Sequence, residues 1–247
     1  MKNNIKKILN SLGLEIRRIN HKRLSFDDIY LQKIKKNPII FDVGANIGQS
    51  IIRFRKNFPD SIIHSFEPVE KEYINLKKKF SDDKKLILNN FALGEKEYEK
   101  DFYINAKTGT SSFYKLKPNT EWLKIRSKEY KTKIQEFTTE VKQTKIVTLD
   151  SYCNKNNIKN IDILKLDTQG YEDKVLEGAV DILSKKNVKI VETEITFDDV
   201  YEKHINFYDI EKYLIKYNYR LVAMKRMYFE SIYEGYMFGT EVMYISE

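Results

Sequence analysis

The chain has 247 residues, 41% of them hydrophobic, with nine Gly and four Pro, which bounds it to one large or two small folded domains and argues against a disordered protein. The net charge of +8 is concentrated in residues 1–40, where ten Lys and Arg stand against three acids, while the remainder carries 34 basic and 33 acidic side chains. A nucleic-acid enzyme would carry a basic field around its site, and the near-neutral remainder speaks against one. The single cysteine, Cys153, excludes a disulfide framework and a Cys-based metal cluster, and no window approaches the roughly 18 apolar residues of a membrane span.

Residues 1–36 read as a basic helical arm and 37–247 as one domain carrying an inserted segment at 95–147. In the arm, Ile5, Ile8, Leu9 and Leu12 form one apolar helical face with lysines opposite. That face suits packing on the core or on a second copy of the chain. The alternative is a basic amphipathic helix resting on an anionic membrane surface. With no recognisable signal peptide, the expectation is a cytoplasmic protein, with peripheral contact at the inner membrane face as the alternative.

The stretch Pro38–Ser50 then reads as a short apolar strand, an acid (Asp42), a turn with Gly44 and Gly48, and a helix over 47–58. Residues 61–67 predict a second strand ending in Glu67, with Pro68 stopping it, followed by a helix over 69–80. A third strand is expected over 86–93. Strands alternating with helices imply a parallel sheet with right-handed crossovers. Residues 95–147 break the alternation with two strands, 98–104 and 137–147, around a polar turn at 106–112 and a Lys-rich segment holding Trp122. Such an insertion is where a scaffold carries specificity, which makes Thr110, Ser111 and Ser112 candidate substrate contacts, or else it is a surface hairpin with a solvated charge run. Alternation resumes with a helix over 150–156, a strand over 161–167, a helix over 171–183, a strand over 188–195 with Glu192 and Glu194 on one face, and a helix over 207–216. Two last strands, 219–224 and 236–245, flank an aromatic loop. The fold class is therefore α/β: a doubly wound, Rossmann-like sheet of about seven strands with an N-terminal helical arm and an inserted hairpin.

Two cofactor classes share this scaffold. A dinucleotide site wants G-x-G-x-x-G, but Asn46 and Gln49 replace its second and third glycines. An acid just before the turn, Asp42, suits a cationic ligand end. The ammonium and sulfonium of S-adenosylmethionine (SAM) have that polarity. Glu67 lies 23 residues after Gly44, where an acid at the end of the second strand accepts hydrogen bonds from ribose hydroxyls.

The ordered set Phe41–Ser50, Phe66-Glu67-Pro68, Asn90–Gly94, Thr148–Tyr152, Ile161–Glu172, Val175–Ala179 and Glu192-Thr193-Glu194 resembles the FkbM-type SAM-dependent methyltransferases over about residues 38–246. The family commonly reads Asp-Val-Glu-Gly where this chain has Asp167-Thr168-Gln169-Gly170. The resemblance implies a class I methyltransferase sheet, mostly parallel with an antiparallel last strand, and O-methylation of a hydroxyl on a sugar, glycan or related small molecule. It further implies that Asp42, Gly44, Ala45, Asn46, Gly48, Gln49 and Ser50 hold the amino acid part of SAM. Glu67 and Pro68 would serve the ribose, and Asn90, Phe91 and Ala92 the adenine. Asp167 would stand near the transferred methyl, and S-adenosylhomocysteine would be the product.

A hydroxyl is a poor nucleophile until its proton leaves, so a base helps. Asp167 is the first candidate and Glu194 the second. Asp167 could instead cap the following helix or bind cofactor. Of the histidines, His64 reads as a packed strand residue, His21 belongs to the arm, and His204, near the C-terminal edge of the fifth strand, is a candidate substrate contact or a solvated loop residue. No pair has metal-ligand spacing, and nothing requires a metal, although Asp167, Glu192 and Glu194 have the chemistry of a hard-cation site. Tyr228, Phe229, Tyr233, Tyr236 and Phe238 could stack on sugar rings or simply complete a hairpin. Two competing readings are an RNA methyltransferase, which would need a basic aromatic groove, and a SAM-binding interaction module without catalysis.

Overall fold

The computed structural model describes residues 24–225 and 238–247, with Leu9 and Ser11 of the arm. The amphipathic helix expected over 2–12, apart from those two residues, His21, and the aromatic positions 228, 229, 233 and 236 lie outside the described residues. In chain order, α1 (Phe26–Lys33) precedes β1 (Ile39–Val43), α2 (Gln49–Asn57), β2 (Ile62–Phe66), α3 (Glu70–Lys79) and β3 (Leu86–Asn89). Next comes β4 (Ala92–Leu93), and the inserted region holds β5 (Tyr98–Asn105), α4 (Glu121–Glu129) and β6 (Thr138–Val147). There follow α5 (Leu149–Lys155), β7 (Ile161–Leu166), α6 (Glu172–Glu177), α7 (Val180–Ser184), β8 (Val188–Thr196), α8 (Phe207–Ile215), β9 (Tyr219–Met224) and β10 (Gly239–Ser246).

The main sheet has seven strands in the order β3-β2-β1-β7-β8-β10-β9, parallel except for β10, which runs antiparallel to both neighbours. This is the doubly wound sheet expected from the alternation of strands and helices. The central strands are buried on both faces, so they read as continuous apolar runs. On one face Ile40, Ile63, Ile163, Ile190 and Met243 pack against α1 and α2, with Tyr30 and Phe54 wholly buried among them. On the other, Phe41, Phe66, Leu164, Leu166 and Val191 meet α5 to α8. The α1 part of the 1–36 arm thus belongs to the core: Ser25 and Asp28 form a reciprocal cap, and α1 buries Phe26, Ile29 and Tyr30.

The expected third strand, 86–93, is two strands. Asn90 interrupts it by donating to the Glu67 and Pro68 carbonyls (2.9 and 3.3 Å), and β4 leaves to pair with Ile146 and Val147 of β6. β4, β6 and β5 make a separate three-stranded sheet. The expected helix over 171–183 is also two. A Cβ on Gly178 would lie 1.9 Å from the Gly94 carbonyl, so the chain turns there, and the Asp150 carboxylate caps α7 through the Asp181 and Ile182 amides (2.8 and 2.9 Å). The Leu93-Gly94, Thr148–Asp150 and Glu177–Ala179 motifs therefore meet at one structural corner. In the insertion, the Lys-rich segment forms α4, capped by Thr120, which buries Trp122 and Leu123 against Phe137, Val200 and Tyr201.

Candidate active site

Positive backbone angles at Gly44 (φ 89°), Asn46 (45°) and Gly48 (85°) coil the chain after β1 into a tight loop. A Cβ on Gly44 would sit 1.9 Å from the Asp167 carbonyl, so only glycine lets the loop pass the end of β7. Gly44 and Ala45 donate to the Phe66 carbonyl (3.0 and 3.1 Å). Glu67 locks the loop from the other side: one carboxylate oxygen accepts from the Asn46 amide and the other from the Val69 amide, both at 2.7 Å. Burial nevertheless pushes Glu67 up to about 7, against those two bonds.

These loops frame a cavity of about 300 Å³ at the C-terminal ends of the strands. Of the expected cofactor residues, Gly44, Ala45, Asn46, Gln49, Ser50, Glu67, Pro68, Ala92 and Asp167 line it. Asp42, Gly48, Asn90 and Phe91 do not. Asp42 is fully buried beneath the cavity floor. Gly48 carries the left-handed turn into α2, and a Cβ there would press on Phe80 and Leu76. Asn90 acts on the backbone behind Glu67 as described, and Phe91 packs on Phe66 and Tyr152.

A charged row that periodicity alone does not reveal crosses the strands and reaches the cavity at Lys165. Pairing register sets Ser65, Asp42, Lys165 and Glu192 side by side on β2, β1, β7 and β8. Lys165 is only 6% exposed, and its ammonium lies 3.0 Å from Asp167. Burial would lower Lys165, but Asp167, Asp42 and Glu192 hold it above its ordinary value. Burial raises Asp42, with Lys165 opposing, and its Oδ1 has no hydrogen-bond partner among the described residues. Glu192 is held by Arg53, whose Nη2 reaches both carboxylate oxygens at 2.8 Å, and by the Tyr30 hydroxyl. That assignment takes Glu192 out of any metal set; among the described residues no group of three His, Cys, Asp or Glu side chains is arranged for a metal ion. Lys165, Arg53 and Glu241 also line the cavity, and none was a sequence candidate. The signal for Lys165 was present: a lysine inside an apolar strand is buried only if it is paired.

The turn after β7 carries the remaining chemistry. Glu172 accepts from the Thr168 and Gly170 amides (2.6 and 3.0 Å) and fixes its shape, with Gln169 at φ 57°. The Gln169 amide nitrogen donates to Asp167 and to Glu194, both at 2.9 Å, and its oxygen accepts from Tyr201 at 3.1 Å. Burial alone would raise Asp167, but Lys165 and Gln169 overcome it and hold the group below the usual carboxylate range. Burial, with Asp167 and Glu172 nearby, pushes Glu194 up to about 8. Glu194 faces a second cavity of about 170 Å³, which also meets Thr110 and shares Gln169 and Gly109 with the first.

The other candidates divide between the two spaces and the scaffold. Ser111 lines the larger cavity while its hydroxyl accepts from the Asn105 amide. Ser112 donates to the Gln169 carbonyl at 2.7 Å and so supports the turn. His204 is exposed and lines neither cavity. His64 packs on Phe41 and bonds Tyr152, its imidazole pushed down to about 4 by burial, as a core histidine. Among the described residues no helix is long and apolar enough to cross a membrane.

This geometry can be set beside known proteins. The methyltransferase FkbM domain family matches residues 42–221. The 2-O-methyltransferase NoeI of Sinorhizobium fredii (strain NBRC 101917 / NGR234) is 24% identical over 168 residues, covering 68% of this chain and 67% of that protein. Methyltransferase sdnD of Sordaria araneosa is 25% identical over 179 residues, covering 64% and 67%. The crystal structure of methyltransferase FkbM from Methylobacillus flagellatus KT shares the fold at a TM-score of 0.53 and 13% identity, over 84% of this chain and 44% of that longer one. With its glycine loop, Glu67 clamp and Asp167 turn all inside the matched region, this chain belongs to the FkbM family of SAM-dependent methyltransferases.

Proposed function

We propose that the chain methylates a hydroxyl oxygen of a sugar, glycan or related small molecule. The residues fit SAM. The buried, unpartnered Asp42 oxygen marks the floor as a place for positive charge, and Glu67 keeps lone pairs free for ribose hydroxyls after accepting its two amides. Gly44 to Ser50 would hold the amino acid end, and Ala92 would meet the adenine. When bound, SAM supplies an electrophilic methyl group.

The contact that supports O-methylation is the Gln169 amide bridging Asp167 and Glu194 between the two cavities. Asp167, kept ionised, presents fixed negative charge at the cofactor wall. Glu194, near 8, suits a general base, because proton transfer is most effective when the pKa lies near the working pH. As the acceptor oxygen bonds the methyl carbon, the methyl–sulfur bond breaks with its electron pair going to sulfur, leaving S-adenosylhomocysteine, and the Glu194 carboxylate would take the proton of the breaking O–H bond. This assigns the proton transfer to Glu194 and a charge-setting role to Asp167, reversing the order that the sequence suggests. NoeI, by name a 2-O-methyltransferase, is in keeping with an oxygen acceptor.

Transfer of labelled methyl from SAM to a panel of glycosides and oligosaccharides tests the proposal. Glu194→Gln is expected to lower kcat by at least about 100-fold, the lower range for a general base, with S-adenosylhomocysteine affinity held within a few-fold. A variant that turns over normally removes Glu194 from the proton transfer.

A further inference from the structure

The smaller cavity has a wall that no step above uses. Trp122 of α4 is 2% exposed and lines it, and its indole N–H has no hydrogen-bond partner among the described residues. A buried donor without a partner is uncommon, because its desolvation is not compensated. The surrounding surface is mixed. Val200, Tyr201 and Phe238 add apolar and aromatic area, while Glu194, Lys107 and Arg126 add charged groups, the Arg126 guanidinium lying 5.8 Å from the centre of the Trp122 ring. The polar groups come from separate elements: Trp122 from α4, Glu194 from β8, and Gln169 from the turn after β7. A planar phenol offers a hydroxyl at one or two edges, and a purely apolar ligand offers none. A ring with hydroxyls around its edge and C–H groups on its face meets all three elements and the aromatic walls.

We propose that this cavity is the acceptor subsite, that it takes a single pyranose ring, and that the Trp122 N–H binds one of its oxygens. The proposal rests on the O-methyltransferase reading and deepens it by naming the ring class and the anchor. The cavity volume of about 170 Å³ corresponds to five or six waters at about 30 Å³ each, which is room for one ring and not for a chain of them. Further units would extend outward past Lys107. The shared Gln169 and Gly109 put the ring beside the cofactor cavity. The open groove lined by Glu70, Lys71, Glu140 and Lys142 adjoins the cofactor cavity at Val69 and Thr108, on the Glu67 side and not at Asp167, so it is a less suitable seat for the reacting hydroxyl.

Trp122 is the chain's only tryptophan, so its emission reports on this cavity directly. The full chain, saturated with S-adenosylhomocysteine, is titrated with the methyl glycopyranosides of glucose, galactose, mannose, rhamnose and fucose, and with catechol as a planar control. At least one glycoside should give a saturable emission change, and catechol none. Thr196→Phe, which fills the cavity, should weaken that response at least tenfold with S-adenosylhomocysteine affinity unchanged within twofold by calorimetry. Trp122→Phe, which keeps an aromatic ring but loses the N–H, should raise the acceptor KM at least tenfold with a smaller effect on kcat. Methyl transfer to a glycoside with the same KM in wild type, Thr196→Phe and Trp122→Phe overturns the subsite and leaves the O-methyltransferase reading standing. Methylation of catechol with no transfer to any glycoside overturns the ring class and the sugar-hydroxyl reading together.

Discussion

The Lys165 ammonium lies 3.0 Å from Asp167 and, through strand register, beside Asp42 on β1 and Glu192 on β8. One buried cation thus faces carboxylates on two strands and on the turn after β7. Lys165→Met keeps most of the volume and removes the charge. Breaking a buried pair costs about 3–5 kcal/mol. Asp167 keeps 40% of its side chain exposed, so the lower end applies. At about 2–4 °C per kcal/mol for a chain of this size, the melting temperature should fall by roughly 6–12 °C. S-adenosylhomocysteine affinity should fall at least tenfold, since Asp42 and Asp167 then take up protons. A variant that melts and binds like wild type shows that Lys165 is not the counter-charge.

Glu67 is expected to make S-adenosylhomocysteine affinity depend on pH. Its carboxyl titrates near 7 in the folded chain, against an ordinary value of 4.5. As the ionised form is the better acceptor for ribose hydroxyls, S-adenosylhomocysteine should bind more weakly as pH falls through 7. Stability of the free protein runs the other way. Between 4.5 and 7 the folded chain holds more protons at this site than the unfolded chain, so this group's contribution to stability falls as pH rises through that window. Glu67→Gln should flatten this group's part of both profiles and weaken binding by roughly 10- to 150-fold, in line with about 1.5–3 kcal/mol for hydrogen bonds to a charged group. Calorimetric titrations from pH 5.5 to 8.5 on both proteins check the sign, and a wild-type affinity that rises on acidification contradicts it.

Gly44 is where the glycine loop after β1 and the turn after β7 touch. Alanine there must adopt a positive φ, which costs about 1–3 kcal/mol, and its Cβ would strike the Asp167 carbonyl. The ends of β1 and β7 must then separate, shifting Asp167 and the Gln169 bridge together. Gly44→Ala should therefore lose S-adenosylhomocysteine binding while still folding, with a melting temperature lowered by several degrees. Normal binding by this variant would show that the close approach is not required.

The alternation of apolar runs with amphipathic segments made the sheet and most of its helices legible, because each strand and helix carries its own pattern. The glycine loop and Glu67 were legible for a similar reason: a positive φ and an acid at a fixed distance are local signals. What was not legible depends on register. Lys165 and Glu192 look like stray charges until β1, β7 and β8 are aligned, and Asp42 reads as a cofactor contact until it is seen below the floor. Gln169 joins Asp167 to Glu194 across 25 residues of sequence through an amide whose type gives no hint of its partners. The break of the third strand at Asn90 and of the long helix at Gly178 arises from contacts with Glu67 and Gly94, which are distant in sequence. Trp122 sits in a segment whose lysines mask a helix with a short buried face.

The remaining prediction concerns α1, which the charge distribution assigned to the arm and the packing assigns to the core. Its Tyr30 hydroxyl donates to Glu192, and Arg53, a wall of the cofactor cavity, donates to both oxygens of the same carboxylate. Burial would raise Glu192, but Arg53 and Lys165 keep it below its ordinary value, so it is a buried anion that needs its partners. Tyr30→Phe removes one bond to a charged group and leaves both cations, which should cost about 1.5–3 kcal/mol. Arg53→Met leaves the anion with Tyr30 and the more distant Lys165, and the cost approaches the roughly 3–5 kcal/mol of a broken buried pair. The melting temperature should thus fall further in Arg53→Met than in Tyr30→Phe. S-adenosylhomocysteine affinity should drop in Arg53→Met, whose side chain meets the cavity, and change little in Tyr30→Phe. If Tyr30→Phe proves the more damaging in both measurements, α1 and not Arg53 is the element that holds Glu192 in place.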